Sequence, residues 1–313
     1  MSHPFIQLAH QGKNQAWRYW LGSLIALFSL LMIGSFVSLG LLMAYVTYDG
    51  NPETAIATLE TLEPGSLPVS GVSASAIYFF LNLAFPVFLL SIYLSLRLLH
   101  HRPFRTLITP GDRISWRRIG QGFSVFFILK VVEVLVSYLI APQDFTFSFE
   151  PRSFALFVPI VFLVTPLQTT AEELFFRGYL LQGIGSKLGK WMAIVLPSLL
   201  FMLLHTSNPE VLTQQSWQGT TSVVLYYFII GAFLAWLTLK DKTLELAIGV
   251  HAANNIATFL MVTSDNSVLP SPAIFKIETM EASFALIFFT LVFLLIFSFI
   301  VFKLLKRPFV IES

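Results

Sequence analysis

Apolar runs of about 20 residues recur along this 313-residue chain, and each is enough to cross a hydrocarbon core of ~30 Å as a helix. They lie near 18–47, 75–97, 120–141, 153–182, 191–205, 219–239, 243–262 and 282–304. A chain built this way is an all-α, polytopic membrane bundle of about eight transmembrane helices. Its hydrophobic share of 56% and mean hydropathy of +0.76 exceed the ~45–50% apolar content of soluble domains. The first run follows a polar leader and is too long for a signal-peptide core, so it is read as a retained anchor.

The charges sort by segment. Segments 1–17, 98–119, 183–190, 240–242 and 303–313 hold most of the Lys and Arg, among them Arg102, Arg105, Arg113, Arg117, Arg118, Lys187, Lys190, Lys240, Lys242, Lys306 and Arg307. The alternate segments are nearly bare: 48–74 carries Asp49, Glu53, Glu60 and Glu63 without a cation, 142–152 only Arg152, and 263–281 only Lys276. The positive-inside rule therefore predicts that both termini are cytoplasmic, in agreement with an even number of spans. The absence of cysteine excludes disulfides, thiolate catalysis and Cys-ligated metals. No basic stripe interleaved with aromatics points to nucleic acid. The expected partners are the lipid bilayer and a peptide or protein substrate; oligomeric state is not legible.

Ionisable groups at membrane depth are costly and by default mark function. Lys130 and Glu133, three apart, can neutralise each other on one face of the third span. In the fourth, "TTAEELFFRGYLLQGIG" (169–185) contains three charges. Glu173 and Arg177, four apart with the acid first, have the better orientation for a helical ion pair, which leaves Glu172 over, about 100° round the helix. Fifteen residues separate Glu172 from Lys187 and Lys190 from His205, so a hairpin about the turn "GIGSKLGK" brings Glu172 and His205 to one level. In "HAANN", His251 and Asn255 share a helical face, with Asn254 to one side. Singly, each has a structural reading, the His as a hydrogen bonder and the Asn as interhelical glue; together, three helices converge acid, base and amide groups on one point.

These residues resemble a known family. "EELFFR" matches EExxxR, "FMLLH" (Phe201 to His205) matches FxxxH and "HAANN" matches HxxxN, as in the CPBP family of intramembrane proteases, also called the CAAX-protease and bacteriocin-processing or Abi family and similar to Ras-converting enzyme. The likeness covers roughly 155–262 and divides the chain into residues 1–150 with three spans, a catalytic core over 151–265, and 266–313 with a loop and the last span. The resemblance implies a glutamate protease in which Glu172 and His205 activate water while His251 and Asn255 form the oxyanion hole. Glu173, Arg177, Asn254 and Phe201 are supporting residues, with Glu173 and Arg177 locking the helix register. A desolvated carboxylate beside an imidazole suits general-base work, and N–H donors in a dry site stabilise a developing oxyanion.

No cofactor is implied. Zinc is the alternative, since Glu plus two His is a recognised ligand set, although HExxH is absent. Other functional classes are a catalytically silent scaffold or regulator of a membrane partner, and a small transporter, for which no inverted repeat is seen. One tension concerns depth: ~1.5 Å per residue puts Glu172 and His205 roughly 22 Å from their turn but His251 only about 14 Å beyond Lys242.

Overall fold

The computed structural model describes residues 3–48, 72–265, 267–269, 271–278 and 281–305. The acidic residues Asp49, Glu53, Glu60 and Glu63, with Lys306 and Arg307, lie outside the described residues. Eight long helices run through the rest: α1 (Ala16–Tyr48), α2 (Ala74–Leu99), α3 (Trp116–Ile140), α4 (Pro151–Leu188), α5 (Lys190–Leu204), α6 (Trp217–Asp241), α7 (Glu245–Met261) and α8 (Phe284–Leu304). Each matches an apolar run of the sequence, but by length and composition six can span a membrane alone. The other two are shorter, α5 with 15 residues and α7 with 17. Nearly all of α7 is buried among other helices. A helix wrapped by protein can carry His, Asn and Gly where a lipid-facing one would need apolar side chains.

Helix α4 starts on Pro151, whose missing N–H costs nothing in the first turn. The Glu150 carboxylate accepts from the amides of Arg152 and Ser153 at 3.2 and 2.6 Å. The helix ends at Gly189, whose φ of +85° is a conformation that a side chain resists. Lys190 opens α5 at once, so a single residue makes the reversal that the sequence assigns to "GIGSKLGK".

Two faces of the bundle are closed differently. At one, residues expected as a polar leader form a buried cap: Phe5, Ile6, Leu8 and Ala9 are buried, and His3 Nε2 bonds the Leu239 carbonyl oxygen at 2.8 Å. Phe5 and Ile6 lie in a single-turn helix at Pro4–Gln7 and Leu8 and Ala9 in the 3-10 turn Leu8–Gln11 that follows, each too brief to stand out as a hydrophobic period. Arg102, counted above among the loop charges, is wholly buried there and donates to Gln182 Oε1 at 2.6 Å. Its neighbour His100 bonds the Lys13 carbonyl oxygen and the Tyr179 hydroxyl, each at 2.8 Å. At the other face, three short strands, β1 (Phe145–Phe147), β2 (Val262–Thr263) and β3 (Phe275–Ile277), form a small sheet in the order β1-β3-β2. Strand β3 runs antiparallel to β1 and parallel to β2. This joins the two segments, 142–152 and 263–281, that are poor in Lys and Arg.

The cap also accounts for the depth tension. The turn from α6 to α7 is not at the surface: Thr243, Leu244 and Glu245 are buried. Leu244 N donates to Ile108 O at 2.7 Å and Ser115 N to Glu245 Oε1 at 2.7 Å. The α4–α5 turn, Lys187 to Lys190, is exposed. Helix α7 thus starts beneath a layer of protein, and fewer residues bring His251 to the level of Glu172.

Helix α7 packs closely on α3 because glycines remove the side chains in between. A Cβ on Gly122 would press on the Leu246 carbonyl oxygen, and one on Gly249 would meet the Ile119 carbonyl oxygen and the Phe123 amide. The Gly249→Ala variant is therefore expected to destabilise the protein by about 1–3 kcal/mol through overpacking, read as a lower thermal midpoint in detergent; an unchanged midpoint contradicts the close approach. In the cap, burial, with Arg102 and Arg18 nearby, pushes the His100 imidazole down to about 4. Between the unfolded value of 6.5 and about 4 the unfolded chain binds the extra proton, so stability is full above 6.5 and falls as pH drops through that window. Thermal midpoints at pH 7 and pH 5 check this, and the His100→Gln variant should lose less on acidification than the unaltered protein.

Candidate active site

The polar centre begins with Glu173, which is fully buried. Its Oε1 accepts from Arg177 Nη1 at 2.7 Å and from His251 Nδ1 at 2.8 Å, joining α4 to α7. Arg177, also fully buried, donates from Nη2 to the Gly231 carbonyl oxygen of α6 at 3.3 Å and lays its guanidinium over the Phe201 ring of α5, 4.6 Å from the centroid. One ion pair thus reaches four helices. It sits where α4 changes its winding: hydrogen bonding widens to i→i+5 over Leu174–Leu180, with Leu181 N bonding Phe176 O. Such π-turns concentrate at functional sites. The i,i+4 pairing read from the sequence is present, and so is that of Lys130 with Glu133, at 2.6 Å.

Glu172 is placed differently. It is 9% exposed and lines a cavity of about 540 Å³. Its contacts are long, with Gln168 Nε2 at 3.4 Å and His251 Nε2 at 3.8 Å. Ion-pair energy is therefore concentrated on one glutamate, and its neighbour keeps its acceptor capacity.

His205, Phe201, His251, Asn254 and Asn255 line the same cavity, so each residue singled out as catalytic in the sequence meets there, while Glu173 and Arg177 stand behind it. His205 Nδ1 lies 2.7 Å from the Phe201 carbonyl oxygen. A carbonyl only accepts, so Nδ1 carries the hydrogen and neutral His205 keeps Nε2 as an acceptor. Phe201, tilted against His205 at 4.3 Å, separates that imidazole from Arg177. His251 has the complementary wiring, since Nδ1 faces a carboxylate already paired with Arg177 and therefore carries a hydrogen. When the ring is protonated, Nε2 becomes a second donor. Asn254 Nδ2 donates to Asn255 Oδ1 at 3.1 Å, which uses the carbonyl end of Asn255 and leaves its N–H₂ end unspent in that contact.

Three contributors, Tyr227, Glu210 and Asn208, escaped the sequence reading. Tyr227 of α6 stacks on His205 with ring centroids 4.4 Å apart, and its hydroxyl donates to Glu210 Oε1. Asn208 Nδ2 donates to both, at 3.1 Å each. The available signal was an acid, Glu210, just beyond the fifth apolar run, and a tyrosine pair within the sixth. Among the described residues, no group of three or more His, Cys, Asp or Glu is arranged to hold a metal ion.

The chain is similar to known proteins. Residues 151–257 match the family model described as type II CAAX prenyl endopeptidase Rce1-like. The chain is 31% identical over 271 residues to "Uncharacterized protein YyaK" of Bacillus subtilis (strain 168), covering 85% of each. It is 27% identical over 169 residues to "CAAX prenyl protease 2" of a Methanococcus maripaludis strain, covering 49% of this chain and 62% of that relative. No solved structure matches.

Removing one member of a buried pair strands the other's charge, so Arg177→Met is expected to cost about 3–5 kcal/mol. The double variant Glu173→Gln/Arg177→Met should recover part of that loss. Thermal unfolding in detergent measures both; a double variant no more stable than the single one contradicts the pairing energetics.

Proposed function

The chain belongs to the Rce1-like, type II CAAX prenyl endopeptidase family, and from that premise we propose that it is an intramembrane endopeptidase working by glutamate- and histidine-activated water. A water molecule sits between two acceptors, the Glu172 carboxylate and His205 Nε2. As it attacks the scissile carbonyl, Glu172 takes one proton and later delivers it to the leaving amine, while the C–N bond breaks and the new C–O bond remains. His251, protonated and oriented by Glu173, donates from Nε2 to the developing oxyanion, together with Asn255 Nδ2. Donors held in a site screened from water act most strongly on charge that appears only in the transition state. Asn254 orients Asn255, and Phe201 and Tyr227 both pack against the His205 ring.

The observation that supports this reading best is the contrast between adjacent carboxylates. Glu173 accepts two short hydrogen bonds from cationic or cation-forming partners, whereas Glu172 opens on the cavity with contacts of 3.4 and 3.8 Å. A scaffold that merely had to neutralise Arg177 needs the first glutamate and has no use for the second. Burying an unpaired carboxylate is costly, and a cavity that admits water is what makes it tolerable.

The proposed substrates are membrane-associated peptides or proteins, prenylated CAAX-type chains among them, in line with the name of the Methanococcus maripaludis relative. No cofactor is required by the steps above. Both termini are proposed to be cytoplasmic. What supports this orientation is that the Lys- and Arg-rich segments 1–17, 98–119, 183–190 and 240–242 gather at the capped face, where Asn14 meets Ser186, His3 meets Leu239 and Leu244 meets Ile108.

Comparing membrane-associated peptides in cells with the intact protein and with Glu172→Gln tests the assignment and identifies the substrate. Glu172→Gln is expected to lose cleavage by at least about 10²–10⁴-fold, the range for a general base, with an unchanged thermal midpoint. Full activity in that variant overturns the reading. A chelator is expected to leave cleavage intact; loss on chelation and return with zinc favours the metal alternative. A cellular phenotype that survives Glu172→Ala favours the silent scaffold.

A further inference from the structure

A second concavity, larger than the catalytic one at about 900 Å³, lies between α5, α6 and α8. The two use different faces of α6: Tyr226, Tyr227 and Ile230 line the catalytic cavity, and Phe228, Ala232, Phe233 and Trp236 line this groove. Its walls are overwhelmingly apolar, and several stand open to the surroundings, Leu295 and Phe299 of α8 and Trp191 of α5 among them. Along the trough the hydroxyl of Ser298 is spent on the Leu294 carbonyl oxygen, and charge is confined to one end. There Arg118, Lys240 and Lys303 contribute three cations against one acid, Asp241. Lys240 and Lys303 are exposed and form no ion pair among the described residues, while Arg118 also reaches Glu245 at 3.6 Å.

The groove has a length as well as a polarity. Lys240 and Phe228 are twelve residues apart on α6, and Lys303 and Leu291 twelve apart on α8. At ~1.5 Å per residue the apolar trough therefore extends about 18 Å from its cationic end. One leaflet supplies about half of a ~30 Å hydrocarbon core. The trough is thus as deep as one leaflet of acyl chain, and its cations stand where a headgroup would. Trp191 and Trp236 in its lining suit the same boundary, where indoles are enriched.

We propose that this groove binds an anionic phospholipid, with its phosphate between Lys240, Lys303 and Arg118 and its acyl chains along α6 and α8. Each half of the site rejects a simpler occupant. A free phosphate has no use for an 18 Å apolar trough, and a neutral isoprenoid or zwitterionic lipid leaves the excess positive charge unanswered. Anionic headgroups are drawn to clustered Lys and Arg at a membrane surface.

The test uses the full chain in detergent and reads the thermal midpoint during titration with dioleoylphosphatidylglycerol, dioleoylphosphatidylcholine, inorganic phosphate or farnesol. Dioleoylphosphatidylglycerol should raise the midpoint and bind roughly tenfold or more tightly than the phosphatidylcholine of identical chains. In Lys240→Gln/Lys303→Gln that preference should vanish, with the lipid-free midpoint unchanged. In Ala232→Trp, which fills the trough, stabilisation by either lipid should be lost; if this variant does not fold, the lysine variant alone decides. Equal stabilisation by the two lipids, a preference retained without the lysines, or equal protection by phosphate alone overturns the proposal. So does tighter binding of farnesol, which would make the groove an isoprenoid site. Neither lysine lines the catalytic cavity, so the outcome does not depend on the proposed reaction.

Discussion

The buried pair of Glu173 and Arg177 is the interaction on which the rest of the polar centre depends. Burial of two charges rarely adds stability over a well-packed apolar pair, since desolvation offsets most of the Coulomb gain. What this pair supplies is position. Through the Gly231 carbonyl oxygen, the Phe201 ring and His251 Nδ1, it ties α4 to α6, α5 and α7 at one level. The same carboxylate that holds Arg177 also sets the tautomer of His251, so structural and chemical roles meet on a single oxygen, Glu173 Oε1. The neighbouring Glu172 is thereby relieved of neutralising anything.

The surrounding architecture keeps that level fixed. Helix α7 is pressed against α3 across two glycines and begins beneath a cap built from residues of the N-terminal segment and the α2–α3 connection. At the far end of the bundle, β2 continues directly from α7 and pairs with β3. The helix that carries His251 and Asn255 is therefore restrained at both ends and along one side. Rigid support of this kind is what lets groups act on a transition state without reorganising.

Much of this was legible in the sequence, and what was not has a physical reason. The helix limits lie within a few residues of the apolar runs, because lipid-facing helices need long uninterrupted apolar stretches. The Glu173–Arg177 pair follows from i,i+4 spacing, and the meeting of Glu172 with His205 from matched distances along an antiparallel hairpin; His251, Asn254 and Asn255 line the same cavity although the residue count along their helix did not match in depth. The contact of His251 with Glu173 spans 78 positions, and only the folded bundle creates it. Residues 4–9 read as a polar leader because one turn of helix is too short to show a period. Strands of two or three residues leave no alternation to detect, and the pairing of β1 with β3 spans more than a hundred positions. Glu210 and Tyr227 are separated by a turn and half a helix, with no fixed spacing to link them.

The central claim is that Glu172 and His205 act on one and the same water. A double-variant cycle on kcat/KM for a membrane-embedded fluorogenic peptide tests it most directly, using Glu172→Asp, His205→Asn and the pair, which retain measurable rates. Groups that act as a unit are strongly non-additive. The account predicts that the double variant is about as slow as the slower single variant. Losses that multiply would show that the two residues serve separate steps, and the shared water would have to be abandoned.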